Sequence, residues 1–306
     1  MRPGSDLRLA VACATRRGCR FVEALADLAP EAELTVASFP EEPWEPRYFD
    51  DLREIAERRG GRFVAGRKLE ALEADLLFVV SWRYLIPREV YSRPRLGTFV
   101  FHDSLLPAYR GFSPTVWSIV NGEDHTGVTL FEISEEVDAG DVVDQQRVAI
   151  GPDQTIAEVL EAVTEVYLKL LARNLEPLLR GTAARRPQDH TRATYTCKRL
   201  PEDNRIDWSW PSARIYNLVR AVGAPYPGAY TFLKGRKLRV WEARRPAPEP
   251  RYVGAVPGRV VEVRRGEGTM VLTGDGALLL TRVQEEGGPV VCASEILDSP
   301  SRTLGA

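Results

Sequence analysis

The sequence predicts a doubly wound α/β domain followed by a small antiparallel barrel. Three observations carry this reading. The runs "LRLAVACA", "ADLLFVVSW" and "GTFVFH" are apolar at successive positions, as strands covered on both faces of a parallel sheet must be. Helical patterns lie between the early strands, so strand and helix alternate. Toward the other end, short strand patterns follow one another with glycine turns.

The elements follow in order. "LRLAVACA" is the first buried strand, and Phe21, Val22, Leu25 and Leu28 then recur at helical spacing. "AELTVASF" is a second strand. "YFDDLREIAERRGG" is a charged amphipathic helix stopped by Gly60 and Gly61, and "RFVAG" is the short strand after it. "ADLLFVVSW" and "GTFVFH" complete the central strands, and "TGVTLFEIS" and "DVVDQQRVAI" add two more. Thr155 and Glu158 form a capping-box pattern ahead of a long helix. Its apolar face is Ile156, Val159, Leu160, Val163, Tyr167, Leu170 and Leu171, and it closes at Gly181. Residues 182–203 are polar and proline-punctuated, which reads as a linker that partly packs. The expected division is therefore 1–181, a linker over 182–203, and 204–306. In the last part, "WPSARIYNLVRAV" is a helix, and the strands after it make the barrel.

With 306 residues, 44% hydrophobic and 27% charged, the chain has the composition of an ordinary globular protein of two domains. A net charge of −2 gives no sign of a nucleic-acid-coating surface. Cys13, Cys19, Cys197 and Cys292 form no CxxC pair, which points to reduced thiols in a cytoplasm and to no metal site. No run approaches the ~20 apolar residues of a membrane span.

The chain has only three histidines, and His102 stands where "GTFVF" empties into a loop. Ligands of open parallel sheets bind at such strand ends. Two readings of His102 stand side by side: a packed ring satisfied by a backbone carbonyl, or half of an acid–base pair. Ser104, Tyr109 and Arg110 share its loop, which Pro107 and Pro114 stiffen. Asp138, in "SEEVDAGDVV", lies at a neighbouring strand exit, where a carboxylate orients a histidine ring and stabilises its charged form.

The segment "FHDSLLPAYRGFSP…WSIVNGEDHTGVTLFEISEEVDAGDVV" resembles the signature of the 10-formyltetrahydrofolate-dependent formyltransferases. "LPEDNRIDWSWPSARIYNLVRAVGAPYPGAY" and the strands after it are similar to the second domain of the methionyl-tRNA and sugar N-formyltransferase-like members. The resemblance implies a Rossmann-like catalytic domain and an OB-like C-terminal barrel. It implies 10-formyltetrahydrofolate, or another tetrahydrofolate one-carbon form, as cofactor, and a catalytic set of Asn, His and Asp. His102 and Asp138 match two of the three. The asparagine falls on Val100, which has no hydrogen-bond donor. Loss of one oxyanion donor costs on the order of 10²–10³ in rate. Substitutes to consider are Asp103 in its acid form, Ser104, a backbone N–H or a water.

The resemblance also implies that Leu85, Ile86, Ser104, Val137 and Asp141 surround the folate, with Arg83 or Arg88 near its glutamate tail. Plain core packing is the competing reading of "YLIP". Arg110 and Phe112 are the candidates for the acceptor side, Arg110 with a loop-supporting role as its alternative and Phe112 with a core role. The expected activity is formyl transfer to the amine of a small molecule in specialised or sugar metabolism. Transfer of a one-carbon unit at another oxidation level, other His/Asp chemistry, and a non-catalytic folate-binding protein are the alternatives. Near-neutral charge and Val100 together set tRNA aside as a partner, and a homodimer is left open.

Overall fold

The structure, a computed structural model, describes residues 7–43, 45–248 and 250–305. In chain order it has Arg8–Cys13 (β1), Thr15–Leu28 (α1), Glu33–Ser38 (β2), Phe49–Arg58 (α2), Arg62–Ala65 (β3), Leu76–Val80 (β4), Arg88–Tyr91 (α3) and Thr98–His102 (β5). Then come Arg110–Gly111 (β6), Pro114–Val120 (α4), His125–Glu132 (β7), Val142–Ala149 (β8), Ile156–Leu179 (α5) and Tyr195–Thr196 (β9). Ser212–Val222 (α6), Ala229–Leu233 (β10), Arg236–Arg244 (β11), Val260–Arg264 (β12), Gly268–Leu272 (β13), Ala277–Glu285 (β14), Val290–Cys292 (β15) and Ala293–Ile296 (α7) complete it.

The chain forms two compact units, divided differently from the sequence expectation. The first takes residues up to 114, 126–149 and 160–197; the second takes 115–125, 150–159 and 198 onward. Most of the stretch read as a linker therefore belongs to the first unit, because its backbone pairs there. Tyr195 and Thr196 of β9 run parallel to Arg110 and Gly111 of β6.

The first unit is built on a seven-stranded sheet in the order β3-β2-β1-β4-β5-β7-β8. The pairs among β1 to β5 are parallel, and β7 runs antiparallel to β5. Strand order reverses between β1 and β4, which sets the binding edge at the carboxyl ends of these strands. β5 alternates strictly, and that alternation decides what the site contains. Phe99 and Phe101 are buried on one face, where Phe101 meets the rings of Phe21 and Tyr167 at centroid distances of 5.0 Å each. Truncating such a ring to alanine costs about 3–5 kcal/mol. Val100 faces the other way and packs against a cluster of Ala10, Ala12, Ala37, Leu77 and Val79. His102, two residues on, shares the face of Val100.

Helix α5 starts where the capping pattern placed it: Glu158 Oε2 accepts from the Thr155 N–H at 2.7 Å and from its hydroxyl at 2.8 Å. It stops at Gly181, which takes φ +67°.

The second unit is an antiparallel sheet in the order β10-β11-β14-β13-β12, with β15 paired to β14. Lys234 and Gly235, both at positive φ, make the tight turn joining β10 to β11. Its core includes Met270, Leu272, Ala277 and Leu279, and the buried Trp208 indole donates to Thr231 Oγ1 at 2.9 Å.

Candidate active site

His102 ends β5 and is 8% exposed. Its Nε2 lies 2.8 Å from the carbonyl oxygen of Tyr109. A carbonyl only accepts, so Nε2 carries a proton and the lone pair of the neutral ring is on Nδ1. The geometry accommodates both readings of this histidine: one nitrogen is satisfied by the backbone, and the other faces a carboxylate. Asp138 Oδ2 stands 3.7 Å from Nδ1. That is too long for a direct hydrogen bond, and it leaves Nδ1 open to a proton on a third group.

The carboxylate is itself held. Asp138 Oδ2 accepts from the Gly111 N–H at 2.7 Å, and Asp138 adopts the left-handed conformation, φ +54°. Gly140 closes the same loop, where an added Cβ would lie 1.8 Å from the Glu132 carbonyl oxygen. Only glycine allows that approach.

Two of the residues considered as substitute donors beside Val100 are corrected by the structure. Asp103 is not an acid-form donor. Arg17 Nη1 reaches both its oxygens, at 2.7 and 2.9 Å, and the Tyr167 hydroxyl donates to it as well. Burial alone would push this carboxyl up, but the Arg17 charge and these hydrogen bonds outweigh it and hold the carboxyl below its ordinary value. Ser104 is 2% exposed, and its hydroxyl donates to the Ala108 carbonyl at 2.6 Å. It braces its own loop.

The remaining candidates fall into distinct places. Leu85 is 81% exposed, which removes the core reading for it, while Ile86 packs against the Val100 cluster. Val137 and Phe112 are exposed, so Phe112 is no core residue either. Asp141 lends its carbonyl to the Glu132 N–H at 2.9 Å. Arg83 pairs with Glu45 at 2.7 Å, and Arg88 lies on the short helix α3. Arg110 is 2% exposed and donates to Gln188 Oε1 at 2.7 Å, which is the supporting role. Sequence reasoning missed Gln188, whose side chain joins these loops; a lone glutamine in a polar stretch gives no periodic or motif signal.

Two surface grooves lie elsewhere. One of about 610 Å³ runs between α1 and α2, lined by Arg16, Arg20, Glu23, Asp51 and Arg58 among others; a smaller one of about 290 Å³ borders Arg95, Glu132 and Arg185. Neither includes the His102–Asp138 pair. Among the described residues there is no cluster of metal-ligating side chains, and no helix is long and apolar enough to cross a membrane.

Residues 41–175 match the family model "Formyl transferase", and residues 199–301 match "Formyl transferase, C-terminal domain". A methionyl-tRNA formyltransferase of Moorella thermoacetica is 39% identical over 241 residues, which are 78% of this chain and 76% of that protein. The chain belongs to the formyl transferase family. A second relative, the methionyl-tRNA formyltransferase of Synechococcus sp., is 36% identical over 78% of this chain and 74% of its own length.

Among solved structures, this formyl transferase resembles HypX from Aquifex aeolicus in complex with tetrahydrofolic acid: TM-score 0.65, 23% identity, 95% of this chain and 46% of that one. The chain spans about half the length of the HypX chains it matches. It also resembles the N-formyltransferase from Helicobacter canadensis in complex with folinic acid and dTDP-3-aminofucose: TM-score 0.69, 17% identity, 92% of this chain and 100% of that one. At these identities the likeness speaks for the fold. The exclusion of tRNA is overturned: the relatives at 36% and 39% identity are both methionyl-tRNA formyltransferases. Net charge was a poor guide, because it averages over the whole chain and reports no local distribution.

Proposed function

We propose that this chain moves a formyl group from 10-formyltetrahydrofolate to an amine, with His102 and Asp138 handling the proton. The observation that carries the reading is the 3.7 Å pairing of His102 Nδ1 and Asp138 Oδ2 at the carboxyl end of a central strand. The residues at the strand ends suit the folate. From Arg83 to Ile86, among the described residues, the backbone N–H and C=O groups make no hydrogen bond within the chain, so they are open to a heterocycle edge. The Trp82 indole N–H, nearby in sequence, is buried without a partner, and Leu85 and Val137 offer exposed apolar surface.

When bound, 10-formyltetrahydrofolate supplies an activated formyl carbon on a nitrogen leaving group. The Nδ1 lone pair of His102 accepts the proton shed by the attacking amine. Asp138, fixed by the Gly111 N–H, then stabilises the imidazolium, while Tyr109 keeps the ring from rotating. We read the antiparallel second unit as an OB-like barrel, and the four free thiols support a cytoplasmic setting.

Val100 favours a second reading. With a hydrocarbon at position 100, transfer at the methylene level, which develops no oxyanion, loses less than formyl transfer does. One experiment separates the readings. The protein is incubated with 10-formyl- or 5,10-methylenetetrahydrofolate, and with methionyl-tRNA or nucleotide-linked amino sugars, and the acceptor is weighed by mass spectrometry. A formyl adduct from the 10-formyl donor supports the proposal; a methylene-derived adduct alone, or no adduct with any pair, contradicts it.

A further inference from the structure

We infer that Gln188 is a positioning residue for Asp138, and that the segment carrying it is a strap tying the two halves of the site together. This rests on the reading of Asp138 as the partner of His102. Gln188 is 7% exposed. Its Nε2 donates to the carbonyls of Asp138 at 2.9 Å and Gly140 at 2.7 Å, one hydrogen to each. Its Oε1 accepts from Arg110 Nε at 3.3 Å and Nη2 at 2.7 Å. One amide therefore grips both the Asp138 loop and the loop leaving His102.

The strap continues along the second loop. Thr194 Oγ1 accepts from the Tyr109 N–H at 2.8 Å, and Tyr109 is the residue whose carbonyl accepts the hydrogen bond from His102 Nε2. The Thr194 carbonyl accepts from the Arg110 N–H at 2.8 Å. Gly111, next in line, donates to Asp138 and lies so close to Thr196 that an added Cβ would meet its carbonyl oxygen at 2.5 Å. Each catalytic side chain thus bonds to a backbone group of the loop that the strap holds. The Asp138 backbone needs such support, since its left-handed conformation is unfavourable for a non-glycine residue.

Gln188 suits this task because it offers two donors and an acceptor in one plane. Glutamate has the same size but would turn an oxygen toward two carbonyl oxygens. Gln188→Glu and Gln188→Met in the full chain test the inference by two readouts. The first is amide hydrogen exchange at Gly111, which needs no turnover. Release of Asp138 predicts exchange faster by on the order of tenfold at Gly111, with the amides of Phe99 and Phe101 unchanged. Unaltered Gly111 exchange in a folded variant overturns the inference. The second is formyl transfer in the presence and absence of Asp138→Asn. If Gln188 acts through Asp138, its replacement lowers kcat with little change in the folate KM, and adds almost nothing once Asp138 is asparagine. A drop of equal size in both backgrounds overturns it. Because the exchange readout involves no reaction, a failure of the strap is told apart from a failure of the proposed transfer.

Discussion

Gly111 and Asp138 are joined by a 2.7 Å hydrogen bond from backbone N–H to carboxylate, across 27 residues of sequence. The oxygen that accepts it is the one facing His102. A loop that leaves the histidine strand thereby fixes the carboxylate that stands beside the histidine. The distance between the two side chains is set by backbone groups, so changes in either loop should alter their spacing before they unfold the sheet.

Replacing Val100 by asparagine restores a donor on the face that His102 shares. Formyl transfer should rise by on the order of tenfold or more. The polar group sits against the Ala12–Val79 cluster, so stability should fall by about 1–3 kcal/mol. Steady-state rates and urea unfolding of the same preparation check both. An unchanged rate would mean that position 100 does not face the reacting carbonyl.

Asp103 anchors α1 and α5 to the end of β5 through Arg17 and Tyr167. Its carboxyl is held below the ordinary value, against the upward push of burial. The sign follows: the stabilisation is full above the unfolded value of about 4 and is lost as pH falls through the lower folded value. Asp103→Asn leaves Arg17 buried without its counter-charge and should cost about 3–5 kcal/mol near neutral pH. Thermal unfolding of both proteins between acid and neutral pH should show the gap closing toward low pH; a constant gap would contradict the assignment.

Gly140→Ala places a methyl group against the Glu132 carbonyl. The loop must move and carry Asp138 with it. Turnover should fall by on the order of 10², since small misplacements of a catalytic group are costly. Folate affinity measured by calorimetry should change far less. Equal losses in both would show a general defect of the sheet.

The thiols differ in reach. Burial pushes Cys13 up, with Cys19 adding to it, and burial followed by the charges of Asp51 and Glu23 pushes Cys19 up to about 12. Cys197 is exposed. Iodoacetamide at mildly alkaline pH should therefore mark Cys197 first and leave Cys13 and Cys19 until the chain unfolds. Peptide mass mapping reads the order, and early labelling of Cys19 would contradict it.

Much of this was legible in the sequence. The apolar runs of β1, β4 and β5, the Thr155–Glu158 start of α5 and its Gly181 stop are local signals, and each element formed where its pattern lay. That His102 ends a strand and that Asp138 lies in a neighbouring acidic loop could be read from local pattern, and the structure brings the two side chains to 3.7 Å. What escaped depends on long-range partners. Asp103 looked available as a donor because nothing near it in sequence shows that Arg17, on α1, would take both its oxygens. The strap from Gln188 to Thr196 looked like a linker because its contacts are single hydrogen bonds to loops, and those leave no hydrophobic period.

The most direct test is a double-mutant cycle on His102→Gln and Asp138→Asn, read as single-turnover formyl transfer. If the two side chains work as one unit, each change alone lowers the rate by on the order of 10²–10⁴, and the double variant is slower than the worse single by no more than about threefold. Losses that multiply in the double variant, or an Asp138→Asn protein as fast as the parent, would contradict the account.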